Sequence, residues 1–261
     1  MGIVLRQVYL LRSSPVRLFP MVTWVAIDIV LWGFITRYLN AHGNGTVNFI
    51  PTLLGAVLLW DFCTRIMQGV STAFLEDVWS RNFLNLFASP LSIAEYVSGL
   101  VITSVLTSSV GLAVMLLLAT SVFGLNFFDL GAPLAAFLAV LFLFGITLGI
   151  IGSAIVLRWG PASEWLLWPL PAILSPFAAV FYPLSTLPHW MQWLAHALPP
   201  SYVFEGMRGL LAGHPLNAST LVQGFALAAL ELVLAGSAYG AVYRHAVRTG
   251  LLARYSAEGA A

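Results

Sequence analysis

Lysine is absent from this chain: all 11 basic residues are arginine. A P-loop needs a lysine to reach the nucleotide phosphates, so no such site exists here and the chain alone is not an ATPase of that kind. Cysteine is nearly absent as well. The one copy, Cys63, lies in an apolar run, which excludes an internal disulfide and any cysteine-based zinc cluster. Charge of either sign is scarce, 8% of 261 residues with a net of +1, leaving no basic stripe for nucleic acid and no acidic tail. What remains is 60% hydrophobic with a mean hydropathy of +0.92. An ordinary water-soluble surface cannot be built from that composition.

A crossing helix takes about 20 apolar residues to pass about 30 Å of hydrocarbon, so the chain has room for roughly six and reads as one all-α membrane domain over residues 1–261. Apolar runs place the spans at about Phe19–Leu39, Phe49–Ala73, Ser92–Val122, Ala132–Leu157, Glu164–Pro183 and Ser219–Tyr243. The first is too long for a cleaved signal and lacks a small-residue cleavage site, so it reads as retained. In residues 1–18, Val4, Val8 and Leu11 recur at helical spacing with Arg6 and Arg17 leaning away, the pattern of an amphipathic helix on the membrane surface. Six spans put both termini on one side, and arginine placement chooses it. With the N-terminus inside, the inner segments hold Arg6, Arg12, Arg17, Arg81, Arg158, Arg244, Arg248 and Arg254, the outer ones only Arg37 and Arg208, which makes both termini cytoplasmic.

Two polar segments interrupt the pattern. Residues 74–90 are too polar to span and too apolar for a loop. On a helix Leu75, Trp79, Phe83 and Leu86 form one stripe and Asp77, Arg81 and Asn85 another, with Asp77 and Arg81 a favourable i,i+4 pair and Pro90 marking the end. Periodicity alone reads this as an interfacial helix, with a docking helix for a cytosolic partner as the sharper alternative. Residues 184–214 read as two short outer helices. Thr186 caps the first with Pro188 in its first turn, Pro199-Pro200 ends it, and Ser201 caps the second. Trp190, Trp193 and Tyr202 in this hairpin suit either an interfacial aromatic belt or stacking on a ligand. His189 and His196 lie seven apart without a carboxylate or thiol at ligand spacing, so no metal site is expected.

Ionisable residues inside spans are costly and therefore functional candidates. Asp28 lies in the first span, Asp61 and Arg65 one turn apart in the second, and Glu231 in the sixth. Asp61 and Arg65 are placed to neutralise one another, while Asp28 and Glu231 either face a hydrated path or pair with Arg65 across the bundle. Gly145 with Gly149, and Gly236 with Gly240, allow close helix contact. No Ser/His pair on the spans, His-Glu-x-x-His run or carboxylate cluster is present to support intramembrane catalysis, so the chain is not expected to be an enzyme.

The layout of six spans, the helix ending in Leu86-Phe87-Ala88-Ser89-Pro90-Leu91-Ser92, and Pro183-Leu184-Ser185-Thr186-Leu187-Pro188 leading to Arg208 resemble permease subunits of ABC-2 type transporters. Where that family often has Asn-Pro, this chain has Pro199-Pro200. The resemblance implies an export permease of the plasma membrane, the bacterial inner membrane. It implies docking on two copies of a separate ATP-binding subunit that holds ATP and Mg, with no cofactor on this chain. A second permease, a copy or close relative, would complete the pathway. It turns residues 74–90 into a coupling helix, with Glu76, Asp77 and Arg81 as polar contacts and Trp79 and Phe83 as anchors. Trp190, Trp193, Tyr202, Glu205 and Arg208 become an external gate. The first, second and fifth spans line the route, and the cargo is amphiphilic, lipid-linked, glycan or drug-like. The alternative is a proton- or ion-coupled secondary transporter using Asp28, Asp61 and Glu231.

Overall fold

The computed structural model describes Leu5, Arg6, Tyr9 and residues 18–42, 50–80 and 92–250. Every regular element among them is helical. The long helices are α1 (Leu18–His42), α2 (Gly55–Trp79), α3 (Ile93–Phe123), α4 (Ala132–Trp159) and α8 (Ala218–Thr249). Three shorter ones are α5 (Leu170–Leu174), α6 (His189–His196) and α7 (Pro199–Leu211). Four stretches are long and apolar enough to cross a membrane among the described residues: α2 with its leading π-turn Ile50–Leu54, α3, α4 and α8. α1, at 25 residues, is roughly 37 Å long at 1.5 Å per residue.

Local chemistry sets several of these boundaries. α3 opens on a capping box in which Ser92 Oγ accepts from the Glu95 N–H at 3.2 Å and the Glu95 carboxylate accepts from the Ser92 N–H at 2.9 Å, satisfying two donors at the helix start. It stops at Gly124, whose φ of 68° suits the left-handed cap that glycine adopts without a Cβ clash. α4 carries Pro133 in its first turn, where a missing N–H costs nothing, and α8 starts from the side-chain cap of Asn217.

Three elements depart from the sequence reading. α2 does not end near Ala73 but continues unbroken to Trp79, with Ser80 as its cap. Residues 74–79 therefore close the second helix instead of opening a separate coupling helix, because Phe74 and Leu75 are buried in the bundle and Asp77 is satisfied there. Residues 81–90, with Arg81 and Phe83, lie outside the described residues, as does most of the 1–18 segment. The Glu164–Pro183 segment is not one continuous helix but a 3₁₀ stretch Pro161–Leu166, the short α5, and turns. Pro161, Pro169, Pro171, Pro176 and Pro183 each remove an amide donor. In the hairpin, Pro199 and Pro200 do not merely end the first helix: they form the first turn of α7, capped by Leu198 and not by Ser201. Ser201 Oγ instead donates to Ala195 O at 2.7 Å and Leu198 O at 2.8 Å, fastening α6 to α7. Thr186 bonds back to Pro183 O within a 3₁₀ turn and caps no helix.

α2 and α4 are the most buried long helices, while α8 buries little of its length. α4 packs between α2 and α8, α3 lies on the other side of α2, and α1 rests on α3. The α2–α4 contact is glycine-dependent: a Cβ at Gly145 would lie 2.7 Å from the Cys63 carbonyl oxygen, and one at Gly149 would lie 2.6 Å from Val70 Cβ. Gly236, by contrast, has nothing within 4 Å. Gly145→Ala and Gly149→Ala are each expected to cost about 1–3 kcal/mol through overpacking, seen as a lower Tm of the detergent-solubilised protein. Gly236→Ala should hold or raise Tm, because alanine is the better helix former by about 1 kcal/mol.

Candidate functional site

At the end of the bundle where α2 finishes, polar side chains from distant parts of the chain converge on Asp77. Its Oδ1 accepts from Arg6 Nη2 at 2.6 Å and its Oδ2 from the Tyr96 hydroxyl at 2.9 Å, so both oxygens are engaged while the residue is only 1% exposed. Burying a carboxylate is tolerable only when it is paired in this way. Phe74, one turn earlier, meets Tyr96 and Tyr239 edge-on at 6.5 and 6.4 Å between ring centroids. Trp79 Nε1 donates to the Glu164 carboxylate at 2.8 Å, tying the last turn of α2 to the 3₁₀ stretch after α4. The N-terminal segment, α3, the post-α4 turn and α8 thus all meet on six residues of α2. Among the described residues, neither Arg6 Nε nor the Tyr239 hydroxyl has a hydrogen-bond partner, although both are buried.

The sequence placed Asp77 here with Arg81 as its partner; Arg81 lies outside the described residues, and among those described Asp77 is held by Arg6 and Tyr96. Of the other residues expected in this segment, Glu76 is half-buried and Trp79 is exposed. Sequence reasoning missed Arg6, Tyr96, Tyr239 and Glu164 as members of the cluster. The capping box at Ser92 fixes where Tyr96 falls on α3, and that signal was available. Nothing local links Arg6 to a residue 71 positions away.

Inside the bundle the expected Asp61–Arg65 pair forms, with Nε to Oδ2 at 2.6 Å and Nη2 to Oδ1 at 3.1 Å. Asp28 lies within electrostatic reach of both but is not hydrogen-bonded to Arg65. Glu231 is half-buried on α8 with no ion pair among the described residues, so the three carboxylates expected within spans do not form one group.

At the opposite end, Arg208 and Glu205 of α7 grip the end of the broken segment. Arg208 Nη2 donates to Ala179 O at 2.7 Å and to Glu205 Oε1 at 2.8 Å, and Nη1 to Val180 O at 3.4 Å. Glu205 Oε1 also accepts from the Leu184 N–H at 2.9 Å. Ala179 has a φ of 55°, the left-handed region that a non-glycine residue occupies at a cost of about 1–3 kcal/mol. The aromatic residues expected at a gate do not gather: Trp190 meets Phe177 edge-on, Trp193 projects outward at 78% exposure, and the Tyr202 hydroxyl donates to His196 O. Tyr202, Glu205, Gly206 and Asn217 do line a cavity of about 190 Å³ between α7 and the start of α8. Among the described residues no group of histidine, cysteine and carboxylate side chains is arranged to hold a metal.

No curated protein matches the chain. The family model described as ABC-2 type transporter matches residues 16–212, an interval that takes in α1, the glycine-packed α2–α4 pair, the Asp77 cluster apart from Arg6 and Tyr239, and the Arg208 clamp. A helical chain with four stretches long and apolar enough to cross a membrane among its described residues, matched by that family over most of its length, belongs to the ABC-2 type transporter family.

Proposed function

We propose that the chain is the membrane subunit of an ATP-driven exporter, powered by a separate ATP-binding subunit present in two copies that holds ATP and Mg. The observation that carries this reading is the convergence of four separated segments on the last turns of α2, because a push delivered there reaches every part of the bundle. In this reading the chain crosses the membrane six times, through α1, α2, α3, α4, the broken segment 161–183 and α8. The Trp79 end faces the cytoplasm with both termini, and the α6–α7 hairpin faces out. The arginine distribution supports that orientation. Glu76 and Trp79 offer the ATPase a contact surface that Arg81 and Phe83 extend, while buried Asp77 anchors the N-terminal segment from within. The pathway forms with a second permease, a copy or close relative, in the bacterial inner membrane, and carries an amphiphilic, lipid-linked, glycan or drug-like cargo. Arg208 and Glu205 serve the outer gate by fixing the turn at Ala179.

Purification from the native cell in mild detergent should retain an ATP-binding protein in stoichiometric amount, lost when Glu76 and Trp79 are replaced together by glutamine and alanine. No such partner in any of several detergents would overturn the reading. Trp79→Phe removes the hydrogen bond to Glu164, worth about 1 kcal/mol, while keeping an aromatic ring at that position. ATP-dependent transport by this variant should fall roughly fivefold, with Tm lowered by no more than a few degrees. Arg208→Met strips the Ala179 and Val180 carbonyls of their donor and should cost about 1–3 kcal/mol, measured as a lower Tm together with lost transport. A variant with wild-type Tm would remove Arg208 from the gate.

A further inference from the structure

One face of α1 has no role in coupling or gating. Trp24, Asp28 and Trp32 recur every fourth residue and so follow one another along the helix with about 40° of drift per step. Trp24 is 63% exposed and Asp28 is half-buried. Trp32 stacks on Phe181 of the broken segment, ring centroids 5.7 Å apart and planes 17° from parallel. Asp28 therefore stands between two indoles on a face that meets the Pro-rich segment.

The charges behind it cancel one another but not its own. Asp61 and Arg65 neutralise one another through two hydrogen bonds, which leaves the charge of Asp28 over. Among the described residues Asp28 makes no hydrogen bond and no ion pair, and Asp61 and Arg65 act on it only through space. A carboxylate at mid-bilayer depth costs about 2.5–3.5 kcal/mol on insertion scales, so something neutralises it.

A second polar group at the Arg65 turn also lacks a partner. Ser108 of α3 is 1% exposed and its hydroxyl has no hydrogen-bond partner among the described residues. Serine and threonine in a helix ordinarily donate back to the preceding turn, as Thr103, Thr107 and Ser109 do on this same helix; Ser108 does not. Helix register says where it points. Ser104 donates to Ile66 O at 2.8 Å, and a Cβ at Gly111 would sit 3.4 Å from Arg65 Cδ. Ser108 lies between those two contacts on the same face of α3, against the Arg65 turn.

The geometry points to a mid-membrane site for a lipophilic organic cation, an amine or quaternary ammonium on an apolar body, with Asp28 as counter-charge, Trp24 and Trp32 as π faces, and Ser108 and the Asp61–Arg65 pair as the polar wall. A carboxylate flanked by indoles is the recognition set for such a cation. A hard metal ion needs six or more oxygen ligands, and one carboxylate with one hydroxyl does not supply them. The inference rests on the permease reading and names its cargo class.

The test is equilibrium binding of radiolabelled tetraphenylphosphonium to the full chain, with whatever ATPase co-purifies, in phospholipid nanodiscs. Saturable binding is expected, weakened about tenfold or more by Asp28→Asn and about threefold by Trp24→Leu, and kept within about threefold by Asp28→Glu. Because Asp28→Glu keeps the charge, it separates a lost counter-charge from a general packing defect, and Tm of each variant verifies folding. Equal binding to wild type and Asp28→Asn, or no saturable binding to wild type, overturns the site. So does a Trp fluorescence titration with pH that Asp28→Asn abolishes while the cation has no effect, since the neutralising species is then a proton. ATP hydrolysis by the same preparations separates the two readings: a bound, active ATPase without cation binding sinks this site and leaves the permease, whereas cation binding with no ATPase under any condition sinks the permease.

Discussion

The buried carboxylate of Asp77 is the point on which the structure depends. In a bundle of this composition, water satisfies few polar groups, so a carboxylate at a helix end has to find its partners in protein. Asp77 finds them on two separate segments, Arg6 and Tyr96, and in doing so fixes the N-terminal segment and α3 against the end of α2. The aromatic contacts of Phe74 bring α8 to the same place, and Trp79 adds the turn after α4. One acid thus organises an end of the molecule that apolar packing alone would leave unspecified, because apolar contacts in lipid have no preferred partner.

The same rule operates at the other end through backbone carbonyls. Proline breaks the segment after α4, which frees carbonyl groups of the turns near Ala179 from any helix ladder. Arg208 supplies donors to two of them and Glu205 takes up the Leu184 amide. An irregular chain packed among apolar helices is tolerated only where protein replaces the missing hydrogen bonds in this way. Both ends of the bundle are therefore specified by charged side chains, while its middle is specified by glycine contacts and the Asp61–Arg65 pair.

What was legible in the sequence was whatever short-range chemistry decides. The start of α3 at the Ser92–Glu95 box, the extent of α4 between Gly131 and the Arg158 turn, and the Asp61–Arg65 pair all follow from residues within a few positions of one another. The continuation of α2 past Ala73 was not legible, since the burial of Phe74 and Leu75 and the partners of Asp77 come from parts of the chain far from α2. The broken segment was half legible: five prolines were in view, yet its apolar content read as a span. Pro199-Pro200 misled because a proline pair ends one helix as readily as it opens the next, and only the position of Ser201 beneath Ala195 decides between them. In the candidate site, amphipathic spacing put Trp79 on the apolar stripe and Asp77 on the polar one, whereas the structure buries Asp77 and exposes Trp79; Tyr96, Tyr239 and Glu164 carry no local pattern that marks them.

The glycine contacts between α2 and α4 have a mechanical consequence. Where Gly145 and Gly149 meet the Cys63 and Met67 carbonyls and the β-branched side chains of Ile66 and Val70, the two helices approach closely, and Ile66 and Val70 have little rotamer freedom to yield. The pair is a stiff beam roughly 37 Å long at the helical rise per residue, with the Asp77 cluster at one end and the approach to the hairpin at the other. A tilt of such a beam about its middle moves both ends by equal and opposite amounts. In the exporter reading proposed above, such a tilt would invert motion between the two faces of the bilayer.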